Sequence, residues 1–288
     1  ELNTAVDAAL ANEQIRPPDG VAGADWERVV AARRVEASQT VEDLRHLGPQ
    51  LETDQVLLTI DEVLTRRQEG DRFVELRTAR IATAAGYRYI SGVSTAFLQQ
   101  VRMAVLLALA AVGRLLLIAD GARWIRTFFS DMLSAVTHKA MILDWHHLKQ
   151  KCRELSSRIC RTKAAKAQLL RRLYRRLWRG DVPGAITVLE AHRRASRNEA
   201  KLDELIGYLQ ARAPWIPNYR QRWIDRQYIG SAQVEKANDL IVARRQKNRG
   251  MQWSEATSDA LAALRTLLLN GGWDRYWQER EVLPLLAS

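Results

Sequence analysis

Val56-Leu-Leu-Thr-Ile-Asp-Glu-Val-Leu64 is the stretch that decides the fold. It reads as one strand, with Asp61 directly after the apolar run. The pattern recurs at Leu115-Leu-Leu-Ile-Ala-Asp-Gly121, a short buried strand that delivers Asp120 to a turn. Between them, Phe73–Ala82 alternates, with Val74, Leu76 and Thr78 opposite Phe73, Glu75 and Arg77. Tyr87–Ser91 follows the turn Ala84-Ala85-Gly86-Tyr87 as a third strand. Three consecutive strands with short turns suggest an antiparallel meander. A helix over Ser94–Ala111, closed by Gly113, leads into the Leu115–Ala119 strand. A second helix, roughly Ala122–Ala135, precedes a strand over Lys139–Leu143 that ends in Asp144. The order βββ-α-β-α-β predicts an α/β protein with a mixed sheet and helices packed on it.

Beyond Asp144 the pattern turns helical. Residues 147–212 read as helix, broken at Gly180-Asp-Val-Pro183 and around Arg193–Arg197, and Pro214 and Pro217 end the block. A strong helix over Ser231–Arg249 follows, with Ser231 as N-cap and Gly250 just past its end. Met251–Leu269 adds another helix with Ser254 as a cap, before a Trp-rich tail. Four regions result: a helical accessory segment (1–50), the first part of a sheet core (51–148), a basic helical insertion (149–227) and a closing helical part (228–288).

The chain has 288 residues, a net charge of +11 and an apolar fraction of 47%. A surplus of positive charge calls for a negative partner: DNA, RNA or an anionic membrane surface. Between Lys149 and Arg179 twelve basic residues face one acid, Glu154. Most charge runs are solvated helix faces, but this imbalance is too one-sided for an ion-paired surface. Two cysteines, Cys152 and Cys160, do not make a disulfide framework and fit a reducing cytoplasm. They fall on one predicted helix as buried thiols, and His146 and His147 nearby do not complete a zinc spacing. The most apolar run, Met103–Val112, is too short to span a bilayer, and no signal-peptide pattern is present.

Asp61 and Asp120 at strand ends and Glu235 on a helix can converge to hold two hard cations, the chemistry of phosphodiester cleavage and strand transfer. Each has a plainer reading. Asp61 could form a turn, with Glu62 as its neighbouring competitor, although the pleat lets only one of them face a site. Asp120 could cap the next helix, and Glu235 could complement a helix dipole. Asp239, one turn beyond Glu235, is a weaker candidate. Asp144 also ends a strand and could be a fourth acid, a cap, or the partner that orients His147. Trp124 and Trp145 read as packing residues. Arg171, Arg172, Arg175, Arg176 and Arg179 form a helical stripe, and Arg244, Arg245, Lys247 and Arg249 follow Glu235. Both groups suit a phosphate backbone, where they would set position and affinity rather than sequence.

The element order with its acids is the ribonuclease H-like arrangement. From Leu57 onward the chain resembles the bacterial insertion-sequence transposases of the Kra group, within the DDE superfamily and akin to Mutator-like enzymes. The carrying strings are Val74-Glu-Leu-Arg-Thr-Ala-Arg-Ile81, Ile118-Ala-Asp-Gly-Ala-Arg-Trp-Ile125, Ile142-Leu-Asp-Trp-His-His-Leu148, Leu177-Trp-Arg-Gly180, Tyr228-Ile-Gly-Ser-Ala-Gln-Val-Glu-Lys-Ala-Asn238 and Arg244-Arg-Gln-Lys-Asn-Arg-Gly-Met-Gln-Trp-Ser254. The resemblance implies a ribonuclease H-like mixed sheet with a large all-helical insertion before the last catalytic helix. It implies Asp61, Asp120 and Glu235 as catalytic metal ligands for two Mg²⁺ or Mn²⁺ ions, about 3.5–4 Å apart. Asp144 and His147 match an Asp-x-x-His signature that follows the second acid. The implied substrates are double-stranded transposon ends and target DNA, with a homodimer or larger assembly acting in the cytoplasm at the bacterial nucleoid. A metal-dependent nuclease without strand transfer, a domesticated DNA-binding descendant and an RNA-binding regulator are the alternatives.

Overall fold

The computed structural model describes residues 49–68, 73–93, 95–247 and 250–279. The chain divides into two units, Glu1–Gln50 and Leu51–Ser288. The expected N-terminal helical segment, apart from its last two residues, lies outside the described residues, as does Arg249.

Five strands form one open mixed sheet: β1 (Gln55–Arg66), β2 (Phe73–Thr83), β3 (Gly86–Gly92), β4 (Arg114–Ala119) and β5 (Lys139–Leu143). Their order across the sheet is β3-β2-β1-β4-β5. The meander β1-β2-β3 is antiparallel, whereas β1, β4 and β5 run parallel. Parallel neighbours need crossovers, and α1 (Thr95–Leu109) and α2 (Arg123–Thr127, continued by a π turn at Phe128–Met132) supply them.

The strands' alternation fixes the two faces of the sheet. Val56, Leu58, Ile60, Leu115, Leu117 and Ala119 enter one core with Phe97, Val101 and Val105 of α1. Leu57, Leu116, Ile118 and Ile142 point to the opposite face. Because side chains on a strand alternate, Asp61 shares the second face with Leu57, Asp120 with Ile118, and Asp144 with Ile142.

A second core belongs to the helical insertion. It is built by α3 (Trp145–Ile159), α4 (Lys163–Leu177), α5 (Val182–His192), α6 (Glu199–Arg212) and the short α7 (Tyr219–Ile224). Leu169, Leu173 and Leu177 recur every fourth residue on α4 and are buried against Leu155, Val188 and Leu205. Trp145 anchors this core to the sheet, its ring 4.9 Å from both Trp178 and Tyr219. The Tyr219 hydroxyl donates to the Leu143 carbonyl at 2.7 Å, directly at the end of β5. The expected single helix through both cysteines is corrected here. Cys160 takes an extended conformation at the end of α3, and Thr162 caps α4 through the Ala165 N–H. Both thiols are buried and free.

The closing part packs on the second sheet face. It comprises α8 (Ala232–Asn238), a π turn at Asp239–Ala243, α9 (Arg244–Gln246), α10 (Glu255–Leu269) and α11 (Trp273–Glu279). Val234, Ala237, Ile241 and Ala262 bury there against Leu76 and Tyr89. The expected uninterrupted helix over Ser231–Arg249 instead carries the π turn and ends at Gln246. Gln246 is buried, and both ends of its amide engage Ser258 of α10, which stops the helix by packing. Ser254 caps α10 as expected, accepting from the Thr257 N–H. Among the described residues no helix is long and apolar enough to cross a membrane.

Candidate active site

The pairing of β1 with β4 stops at Thr59↔Ile118, and Ile118 pairs with Ile142 of β5. Asp61, Asp120 and Asp144 each stand two residues beyond those mutually paired positions. The register therefore sets three carboxylates at one level and on one face of three adjacent parallel strands, with Asp120 and Asp144 directly after the ends of β4 and β5. Asp61 is not at the end of its strand, because β1 continues to Arg66 against β2. It sits where β1 parts from β4, the kind of crevice in which open α/β sheets bind ligands.

Asp61 accepts a hydrogen bond from Asn238 Nδ2 at 2.8 Å. Burial raises its pKa, the charges of Asp120 and Glu235 push in the same direction, and His147 opposes them. Glu62 points to the other face. There Trp124 Nε1 donates to it at 2.9 Å, and the Arg77 guanidinium lies 4.6 Å over the Trp124 ring. Asp61, not Glu62, thus shares a face with Asp120 and Asp144.

Asp120 uses Oδ1 to accept from the Ala122 N–H at 2.8 Å. The plainer capping role is thus partly real, but α2 begins one residue later, at Arg123, with Ala122 in the cap position. Asp120's other oxygen has no hydrogen-bond partner among the described residues.

Asp144 is wholly buried and saturated with donors. Oδ1 accepts from the N–H groups of His146 (2.5 Å) and His147 (3.0 Å), capping α3. Oδ2 accepts from the backbone N–H and the hydroxyl of Ser231. Ser231 was expected to cap α8 with its side chain; it occupies the cap position but spends its hydroxyl on Asp144. Gly230 matches this closeness, since a Cβ there would meet His146 at 3.2 Å and Asp144 at 3.4 Å. Burial works to raise Asp144's pKa, yet the bonds from His147 and Ser231 outweigh it and hold the carboxyl well below the usual range. His147 Nδ1 lies 3.6 Å from Asp144 Oδ1, and that carboxylate raises the imidazole to about 9. His147 is therefore charged at neutral pH.

Glu235 is exposed on α8 and takes no hydrogen bond or ion pair among the described residues. Asp144, His147 and Glu235 offer ligand atoms that all lie within 4.8 Å of one another, a group that could hold a metal ion. Asp61, Asp120 and Glu235, the expected ligands, do not come that close together as a set among the described residues. Their oxygen donors suit a hard divalent ion. Asn238 Oδ1 is buried at this site without a hydrogen-bond partner.

No protein-family model and no curated protein matches this chain.

The expected basic groups fall on α4 and after Glu235. Arg171, Arg172, Arg175, Arg176 and Arg179 are exposed on α4 or just beyond it, opposite its leucine stripe. Arg176 is paired with Asp181 at 2.9 Å, while the other four have no ion pair among the described residues. Arg244, Arg245 and Lys247 are exposed, and Arg244 is paired with Asp239 at 2.9 Å. Asp239 also meets Lys236 at 3.8 Å, which makes it a surface ion-pair partner. Asn238 is the residue that sequence reasoning missed. It lies three residues after Glu235, a spacing that shares a helix face, and this was the available signal.

Proposed function

We propose that the chain is the catalytic part of a DDE-type transposase with a ribonuclease H-like core, which cleaves DNA strands and transfers them to target DNA. The observation that carries this reading is the register that levels Asp61, Asp120 and Asp144, with Glu235 brought over the same face by α8. The strand order, the helical insertion between β5 and α8, and the resemblance in sequence support it. The exposed arginines of α4 supply the field a polyanion needs.

Asp61, Asp120 and Glu235 would hold two Mg²⁺ or Mn²⁺ ions, with Asp144 as a positioning residue. The ions, when bound, supply Lewis-acid activation of the attacking oxygen and neutralise charge on the leaving oxygen. Asn238 orients Asp61. Asp144 orients both His147 and, through Ser231, the start of the helix that bears Glu235. His147 sets a positive charge beside Asp61 and can donate to a phosphate oxygen. The partner is double-stranded DNA, and the working form is a homodimer or larger assembly on paired ends.

The test is Mg²⁺- or Mn²⁺-dependent cleavage of labelled DNA carrying element ends, with wild type beside Glu235→Gln. Boundary cleavage and joined products from the wild type alone support the transposase. Cleaved but never joined products identify a nuclease instead. DNA binding without any cleavage by either protein leaves only the DNA-binding reading.

A further inference from the structure

Arg212 ends α6 and reaches from the helical insertion back to the turn that holds Asp120. Its Nη2 donates to the Gly121 carbonyl at 3.4 Å. Gly121 takes a φ of +75°, and a Cβ there would meet Leu143 Cδ1 at 3.2 Å and Arg212 Nε at 3.4 Å. The guanidinium lies 4.0 Å over the ring of Tyr208, one turn earlier on α6. Burial pushes the Tyr208 hydroxyl up to about 12, with the Arg212 charge opposing and those of Asp120 and Asp144 adding to it.

The guanidinium is nevertheless incompletely used. Its Nε–H is buried without an acceptor, and no carboxylate pairs with it among the described residues. A buried donor left unmet is unfavourable, so its persistence needs a reason. If Arg212 existed to neutralise Asp120, it would bond that carboxylate; it bonds the next residue's carbonyl instead. A planar fork of donors held against a ring is pre-organised for an anion with two oxygens to offer. Arg126 repeats the pattern nearby in the chain: it lies 5.6 Å from the Trp215 ring and also has a buried Nε–H without an acceptor.

We propose that Arg212 binds a backbone phosphate of the nucleic acid beside the one that reacts at Asp120, so that the helical insertion directly positions substrate. This rests on the polynucleotide reading given above. The helix stripe on α4 supplies general affinity, whereas Arg212 fixes where the strand lies relative to the acids.

The test uses Arg212→Gln, which loses the charge while keeping a polar side chain. Binding of a fluorescein-labelled short DNA duplex is measured against salt, with the thermal midpoint as a control. The expected result is an unchanged midpoint, about tenfold weaker binding and a log–log salt slope smaller by about 0.9, the loss of one phosphate contact. Arg212→Lys should restore most of the slope. A slope equal to wild type in Arg212→Gln overturns the proposal and leaves Arg212 as a strut. A wild type that binds no duplex at all overturns it too. Should the slope fall while the wild type never cleaves DNA, the phosphate contact stands and the catalytic reading is the one that fails.

Discussion

Asn238 Nδ2 donates to Asp61 Oδ2 across 2.8 Å, which hydrogen-bonds the helix carrying Glu235 to the strand carrying Asp61. The bond spans most of the chain and sets the approach of two acids that would otherwise repel each other. Asn238→Ala should leave the half-buried Asp61 carboxylate without this donor and destabilise the protein by about 1 kcal/mol. Urea unfolding of wild type and variant measures this. Asn238→Asp should cost more, because it sets a second carboxylate against Asp61, and added Mg²⁺ should recover part of the loss. Equal stability of wild type and both variants would remove Asn238 from the site.

Asp144 and His147 give the fold a pH window whose sign follows from their shifts. His147 is raised from 6.5 to about 9, so its contribution is complete below pH 6.5 and is lost as pH rises through 9. Asp144 is lowered from 3.8, so its contribution is complete above pH 3.8 and is lost as pH falls below it. The pair therefore stabilises most between about pH 4 and 6.5. Thermal midpoints should fall between pH 6.5 and 9 in the wild type and change less across that range in His147→Gln. Asp144→Asn should be worse than His147→Gln, by about 3 kcal/mol or more, because an amide donor would face donors in a buried place. A wild-type midpoint that is flat from pH 6.5 to 9 would refute the charged pair.

Much of this site was legible in the chain. The acids at Asp61 and Asp120 announce themselves because short apolar runs lead into them. The crossover order that makes β1, β4 and β5 parallel can be read from the alternation of strands and helices. Asp144 was legible as a strand end, but its saturation was not. Its partner Ser231 lies 87 residues away, and local rules assign that serine to its own helix. Asn238 and Asp61 are 177 residues apart, so only the packed fold reveals their bond. The π turn after Asn238 has no proline or glycine to mark it, and the break at Cys160 is set by the Thr162 cap rather than by a helix breaker.

Cation binding should show in stability before any reaction is assayed. Asp61, Asp120 and Glu235 bring negative charge to one face of the sheet, so a divalent ion should raise the thermal midpoint of the wild type. At an ion concentration a hundredfold above Kd the gain is about 2.7 kcal/mol. Glu235→Gln should shrink it. Asp61 takes up a proton at higher pH than an ordinary aspartate, chiefly through burial, so the gain should also shrink as pH falls. A midpoint indifferent to Mg²⁺ and Mn²⁺ at neutral pH would count against the metal reading.

The arginine face of α4 separates affinity from folding. Leu169, Leu173 and Leu177 hold the helix in its core, while Arg171, Arg172, Arg175 and Arg179 are exposed and without ion pairs among the described residues. Replacing those four by glutamine should change stability by no more than about 0.5 kcal/mol per site. Each side chain that meets a phosphate releases counterions on binding, so the log–log salt slope for duplex binding should fall by up to about 3.6 in the quadruple variant. Arg176 is the internal control. Its bond to Asp181 at 2.9 Å ties it to the start of α5, so Arg176→Gln should move the slope least and stability most of the five. An unchanged slope in the quadruple variant would show that DNA does not run along α4.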